Sequence, residues 1–173
     1  YREAIDFQPG SGIAWNRLVS MGNRPEYFKK HREEVRDSMQ RSNFLAPRQQ
    51  PVNTIELALA YQNAGELETA LEWMERAVQE HPEVAMGWTN LAVLLRMMDR
   101  PDEARAALEK AVEAGPSAFD GLWGLGLHYE ELEDWQAAYE TYQRCLPERP
   151  LWEAYIRFRL GYVAWQDRKV ELA

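Results

Sequence analysis

Three groups of residues have types and spacing that chemistry could use: a cluster of glycines, three histidines and one cysteine. The stretch GLWGLGLHYEELEDWQAAY, residues 121–139, opens with Gly121, Gly124 and Gly126. A phosphate cradle needs the order G-x-G-x-x-G after a strand, so that backbone amides and a helix N-terminus face the anion. Here the order is G-x-x-G-x-G inside a segment of helical apolar spacing, which argues against such a cradle. His31, His81 and His128 are scattered, without the H-x-x-x-H spacing that places two imidazoles on one helix face for a metal. Cys145 is the sole cysteine, so neither an internal disulfide nor a thiolate zinc site can form. The carboxylates of YEELED fit a helix end and turn better than a paired acid and base. No catalytic, metal-binding or cofactor-binding residue is therefore assigned, and the chain reads as a non-enzyme.

Composition narrows the class further. The 173 residues are 46% hydrophobic and 28% charged, enough apolar material for a substantial core. No apolar run reaches the roughly eighteen residues that a membrane-spanning helix needs. The net charge of −8 conceals an asymmetry, because residues 1–50 hold 9 Lys+Arg against 6 Asp+Glu and the rest is strongly acidic. An acidic body disfavours nucleic acid, since phosphate binding needs a positive field. The basic stretch FKKHREEVR is broken by acids and reads as a solvated helix face.

What must position these residues is an internal repeat. Pro82, Pro116 and Pro150 recur every 34 residues. In the same register stand Thr54, Trp88 and Leu122, then the pairs Leu57-Ala58, Leu91-Ala92 and Leu125-Gly126, then Tyr61, Leu95 and Tyr129. Later columns hold Ala70, Ala104 and Ala138, then Met74, Leu108 and Tyr142, then Ala77, Ala111 and Cys145. The early columns fall on one side of a helix at about 100° per residue and the later ones on one side of a second. Gly126 occupies a small-residue column, so its missing side chain admits a neighbouring helix. Gly124 is placed on the outward side and Gly121 near the helix start. His128 reads as a hydrogen-bonded packing residue, and Cys145 as a buried, inert thiol in another small-residue column.

The columns resemble the tetratricopeptide repeat, W-x2-L-G-x2-Y, A-x3-F, P, which the third copy follows most closely as L-x2-L-G-x2-Y, A-x3-Y and a closing Pro. The first copy lacks the Trp, and the second has Ala92 and Leu95 for Gly and Tyr. This resemblance implies an all-α fold, a right-handed solenoid of antiparallel helix pairs. Its units are expected at 51–84, 85–118 and 119–152. A second-helix tail is expected at 1–9, with Ala4, Ile5 and Pro9 aligning to Ala111, Val112 and Pro116. A divergent unit and connector fill 10–50, marked by Trp15 and Leu18, with Pro25 starting a helix. Residues 153–173 supply a further first helix or cap, whose Leu160-Gly161 pair stands one residue out of register.

Each first helix also carries a second apolar stripe, and a helix apolar on two sides must face two things. The resemblance implies that this stripe lines a concave groove holding a peptide or helical segment. It falls on Ile55, Leu59, Asn63, Met86, Thr89, Asn90, Val93, Arg96, Met97, Trp123, Leu127 and Glu130, extended by Phe158, Tyr162 and Trp165. Some family members grip a terminal carboxylate through Lys, Arg and Asn; only Asn90 and Arg96 fit that role here. An apolar groove with acidic edges favours instead a protein partner with a hydrophobic segment flanked by basic residues. The function expected is a protein-protein adaptor. A chaperone shielding a hydrophobic segment and a regulatory module of a larger enzyme such as a glycosyltransferase are the alternatives, as are a stripe covered by the chain's own N-terminal unit and self-association through uncapped ends.

Overall fold

A computed structural model describes residues 24–45, 48, 50–115, 119–147 and 150–171. The expected 1–9 tail, Trp15, Leu18 and Pro116 lie outside the described residues. Within the described residues, the chain forms eight α-helices and no strand: α1 (Pro25–Leu45), α2 (Gln50–Asn63), α3 (Leu67–Glu80), α4 (Ala85–Met97), α5 (Pro101–Ala114), α6 (Phe119–Glu131), α7 (Trp135–Cys145) and α8 (Glu153–Glu171), with a 3₁₀ turn, Pro150–Trp152, before α8. The chain divides between Pro82 and Glu83 into two compact units.

In the first unit α2 packs on α1 and α3. Pro25 opens α1 where its missing amide hydrogen costs nothing. The helix kinks at His31, whose backbone leaves the helical region at φ −125° and ψ 28°. Phe28 meets the Tyr61 ring edge-on at 4.7 Å. Arg32 lies near both rings and pairs with Glu66. Buried Asn53 donates to Ser42 Oγ at 2.9 Å and Asn43 Oδ1 at 2.6 Å, so a polar side chain inside the contact is satisfied rather than stranded.

In the second unit, α4 pairs with α5, α6 with α7, and α8 packs on α7. The second-helix columns are buried in all three copies: Ala70, Ala104 and Ala138; Met74, Leu108 and Tyr142; Ala77, Ala111 and Cys145. Cys145 Sγ lies 3.7 Å from the Thr141 carbonyl oxygen. Small residues in two of every three such columns let backbones approach while the third fills the gap. A Cβ on Gly126 would fall on the ring of Tyr142, which is wholly buried.

Gly124 does not face outward as expected: a Cβ there would stand 2.6 Å from Leu108 Cδ2 of α5. The Leu160-Gly161 pair also misleads. Ile156 and Val163 are the buried residues of α8, 34 positions after Leu122 and Tyr129. The core columns therefore keep register, while Gly161 is exposed and a Cβ there would meet nothing within 4 Å.

The turns inside the hairpins repeat at the level of single hydrogen bonds. Gly65, Asp99 and Glu133, each 34 residues apart, adopt φ of +85°, +58° and +57°. Around them the amides of Glu66, Arg100 and Asp134 donate to the carbonyls of Tyr61, Leu95 and Tyr129 at 3.0, 3.0 and 2.9 Å. The amides of Gly65, Asp99 and Glu133 likewise donate to Gln62, Arg96 and Glu130 at 3.0, 3.1 and 3.1 Å. This is the Schellman closure of a helix, which needs a left-handed residue after the helix end. Asp134 also caps α7, its Oδ1 accepting from the Ala137 amide at 3.1 Å.

Two outcomes follow for stability. Gly126→Ala should lower it by roughly 1–3 kcal/mol, because the new methyl must displace a packed ring; an unchanged thermal midpoint would refute the close approach. Glu133→Gly should raise it by about 0.5 kcal/mol, since a left-handed side chain costs about 1–2 kcal/mol and glycine's added chain entropy about 0.5–1 kcal/mol. Chemical denaturation measures both.

Candidate functional site

The α4 and α6 helices carry the site. Their inner faces are spent on the columns above, so the side chains turned away from those columns remain. Met86 and Val93 of α4 are 46% and 44% exposed, and Trp123 and Leu127 of α6 are half-buried. Together with Thr89, Asn90, Ala92, Arg96, Asp120, Gly124 and the tip of Leu108 they enclose an open hollow of about 310 Å³. Gly124 and Ala92 keep its walls thin. Leu108 forms its floor because Gly124 offers no side chain to cover it.

A second hollow of about 530 Å³ continues from the first and shares Val93 and Arg96 with it. Met97, Asp99, Pro101 and Glu131 complete its lining. Thr89 Oγ1 donates back to the Ala85 carbonyl at 3.1 Å and Asn90 Nδ2 to the Met86 carbonyl at 2.9 Å. Arg96 pairs with Glu131 across the two helices. The first hollow thus offers a mainly apolar surface whose cation is already engaged.

Trp123 joins this hollow to the core. Its ring lies 5.0 Å from that of Tyr142, 6.0 Å from Phe119 and 5.3 Å from Tyr155. Tyr142 in turn donates its hydroxyl to Glu130 Oε1 at 2.6 Å. Glu130, a residue expected on the groove, is only 10% exposed in its side chain and is gripped by Arg159 of α8, whose Nε donates to Oε1 at 3.0 Å and whose Nη2 donates to Oε2. Burial, together with this neighbouring carboxylate, pushes the Tyr142 hydroxyl well above the usual phenol range, so it stays a donor. Residue spacing carries no sign of this triad, because an ion pair between helices leaves no periodic trace.

The remaining expected residues lie elsewhere. On α8, Phe158 is 65% exposed and Tyr162 and Trp165 are also exposed, the Tyr162 ring lying under Arg159. In the first unit, Ile55 is buried at 2% exposure, Leu59 half-buried and Asn63 exposed. His128 differs from expectation: it is 1% exposed, yet neither ring nitrogen has a hydrogen-bond partner. Burial holds its pKa below the ordinary 6.5, with Glu131 opposing and Arg96 and Arg105 assisting that shift and Asp102 opposing it weakly. Among the described residues no group of three His, Cys, Asp or Glu side chains could hold a metal ion. No described helix is long and apolar enough to cross a membrane.

Helix pairs closed by one turn geometry every 34 residues define a helical-hairpin repeat protein. Two tetratricopeptide-repeat family models match, at residues 51–94 and 89–151, and the chain belongs to that family. Solved structures share its all-α tetratricopeptide-repeat fold. BtubC from P. vanneervenii superposes with a TM-score of 0.68 at 19% identity, over 96% of this chain and 78% of that one. A thermophilic TPR protein in Thermus thermophilus gives 0.65 at 18%, over 95% and 87%. MamA protein gives 0.64 at 17%, over 88% and 82%. No curated protein matches by sequence. Tetratricopeptide repeats generally mediate protein-protein interaction.

His128 generates a pH prediction. Its folded pKa is depressed, so the unfolded chain takes up the proton first and stability falls as pH drops below about 6.5. His128→Leu should remove that component and raise stability by about 1 kcal/mol at neutral pH, having no unpaired nitrogen to bury. Denaturation midpoints from pH 8 to pH 5 check both; parallel curves for the two proteins would refute it.

Proposed function

We propose that the chain is a non-catalytic adaptor whose α4–α6 hollow receives an apolar segment of a protein partner. The observation that carries this reading is the hollow itself, walled by Met86, Val93, Trp123 and Leu127. Met86, Val93 and Leu127 are left over after the repeat columns have been buried, and Trp123 packs one side of its ring on the core while still lining the hollow. An open apolar recess of this size anchors a few side chains of an extended or helical segment. The groups that could do covalent chemistry are poorly placed for it: Cys145 and His128 are both buried. The expected extension through Phe158 and Tyr162 belongs to the same proposal, whereas Glu130 serves it indirectly by holding α8.

The test is selection from a displayed peptide library against the wild-type chain and against a Val93→Asp/Leu127→Asp variant. Apolar segments should be enriched on the wild type and lost on the variant by about tenfold or more in affinity, corresponding to about 1.4 kcal/mol. The thermal midpoint should change little. Equal enrichment on both proteins, or unfolding of the variant, would overturn the assignment of this stripe.

A further inference from the structure

We infer that the two hollows together read charge as well as apolarity, and that the fitting partner segment carries a basic residue at each end of a short apolar stretch. This rests on the groove reading above. Arg96 is the cation lining either hollow, and its guanidinium is engaged by Glu131. Asp120, in the wall of the first hollow, and Asp99, in the wall of the second, form no ion pair among the described residues. The formal charge left for an occupant to answer is therefore negative at both, though at Asp120 it is partly offset by the N-terminus of α6, in whose first turn that residue lies.

Their positions give the spacing. The first hollow gathers Met86 and Asp120 from the starts of α4 and α6, while the second gathers Asp99 and Glu131 from the ends of the same helices. The helices therefore run side by side in one direction, and the apolar floor lies between the two carboxylates. From Asp120 to Glu131, which lines the same hollow as Asp99, the helix rises about 17 Å, and this is taken as the span along the floor. An extended chain covers that length in about five residues, a helix in about eleven. The C-terminal ends of α4 and α6 add negative partial charge beside Asp99, where a Lys or Arg is favoured. A segment ending in a free carboxylate would meet an engaged Arg96 and two unanswered acids, so the charge pattern selects against it.

The probes are two acetylated, amidated peptides with Leu and Ala filling the positions between two charged residues five apart, Lys in one and Glu in its twin. Binding to the full chain is followed by tryptophan fluorescence. The Lys peptide should bind roughly tenfold more tightly at low salt, the combined worth of two rim charges. The preference should vanish in about 1 M salt, where the screening length is about 3 Å. An Asp99→Asn/Asp120→Asn variant should bind both peptides alike; Asn tolerates the left-handed backbone at position 99, so the fold is kept. Equal binding by the wild type, a preference for the Glu peptide, or a Lys preference that survives in the variant would overturn the inference and leave the apolar groove standing. Failure of both peptides to bind would overturn the groove reading with it.

Discussion

The contact between Gly126 and the Tyr142 ring sets the geometry of the second unit. Glycine at that position lets α7 press its aromatic ring against the α6 backbone, and the buried ring then serves three neighbours at once. It meets the ring of Trp123 at a tilt and, with Phe119 and Tyr155, holds that side chain at the edge of the open hollow. Its hydroxyl holds Glu130, and Glu130 holds Arg159, so α8 is tied to α6 through a satisfied polar chain in addition to the apolar packing of Ile156 and Val163. The carboxylate accepts from both the phenol, kept protonated by burial, and the guanidinium; each has its partners, which is what makes such a network tolerable inside a protein. A glycine, the smallest departure from an alanine column, thus decides where an aromatic wall of the hollow stands.

Most of the fold was legible in the residues. The 34-residue columns named the buried positions, since helices that stack on their neighbours must repeat the same side-chain sizes at the same depth. The columns of Ala70, Met74 and Ala77 are buried in every copy. Where reading failed, it trusted a local motif over the period. Leu160-Gly161 looks like the Leu125-Gly126 pair, yet Ile156 and Val163 hold the core and Gly161 lies in the open. Gly124 failed for a related reason. Helical phase alone put it outward, but phase does not show that Leu108 of the preceding hairpin reaches across beneath it.

Less of the site was legible. Helical phase picked out Met86, Val93, Trp123 and Leu127, because apolar residues off the core columns are conspicuous on a helix face. Phase could not say that Arg96 is engaged by Glu131, that Glu130 is enclosed, or that Ile55 is buried. Those outcomes depend on side chains meeting across helices, and pairs of that kind have no fixed spacing. The unanswered carboxylates Asp99 and Asp120 emerge only when the engaged acids are set aside. His128 shows the same limit: its column holds Ala60 and Leu94 in the other copies, so burial could be read, but the lack of partners for its nitrogens could not.

The turns at Gly65, Asp99 and Glu133 share one hydrogen-bond frame although one residue is a glycine and the other two are acids. Each of these hairpins therefore folds back on the same local backbone at its middle. A chain assembled this way can gain or lose material in whole increments of its period without the turn inside a hairpin being redesigned. Growth by tandem duplication is open to it, whereas an insertion of any other length would have to be accommodated as a loop.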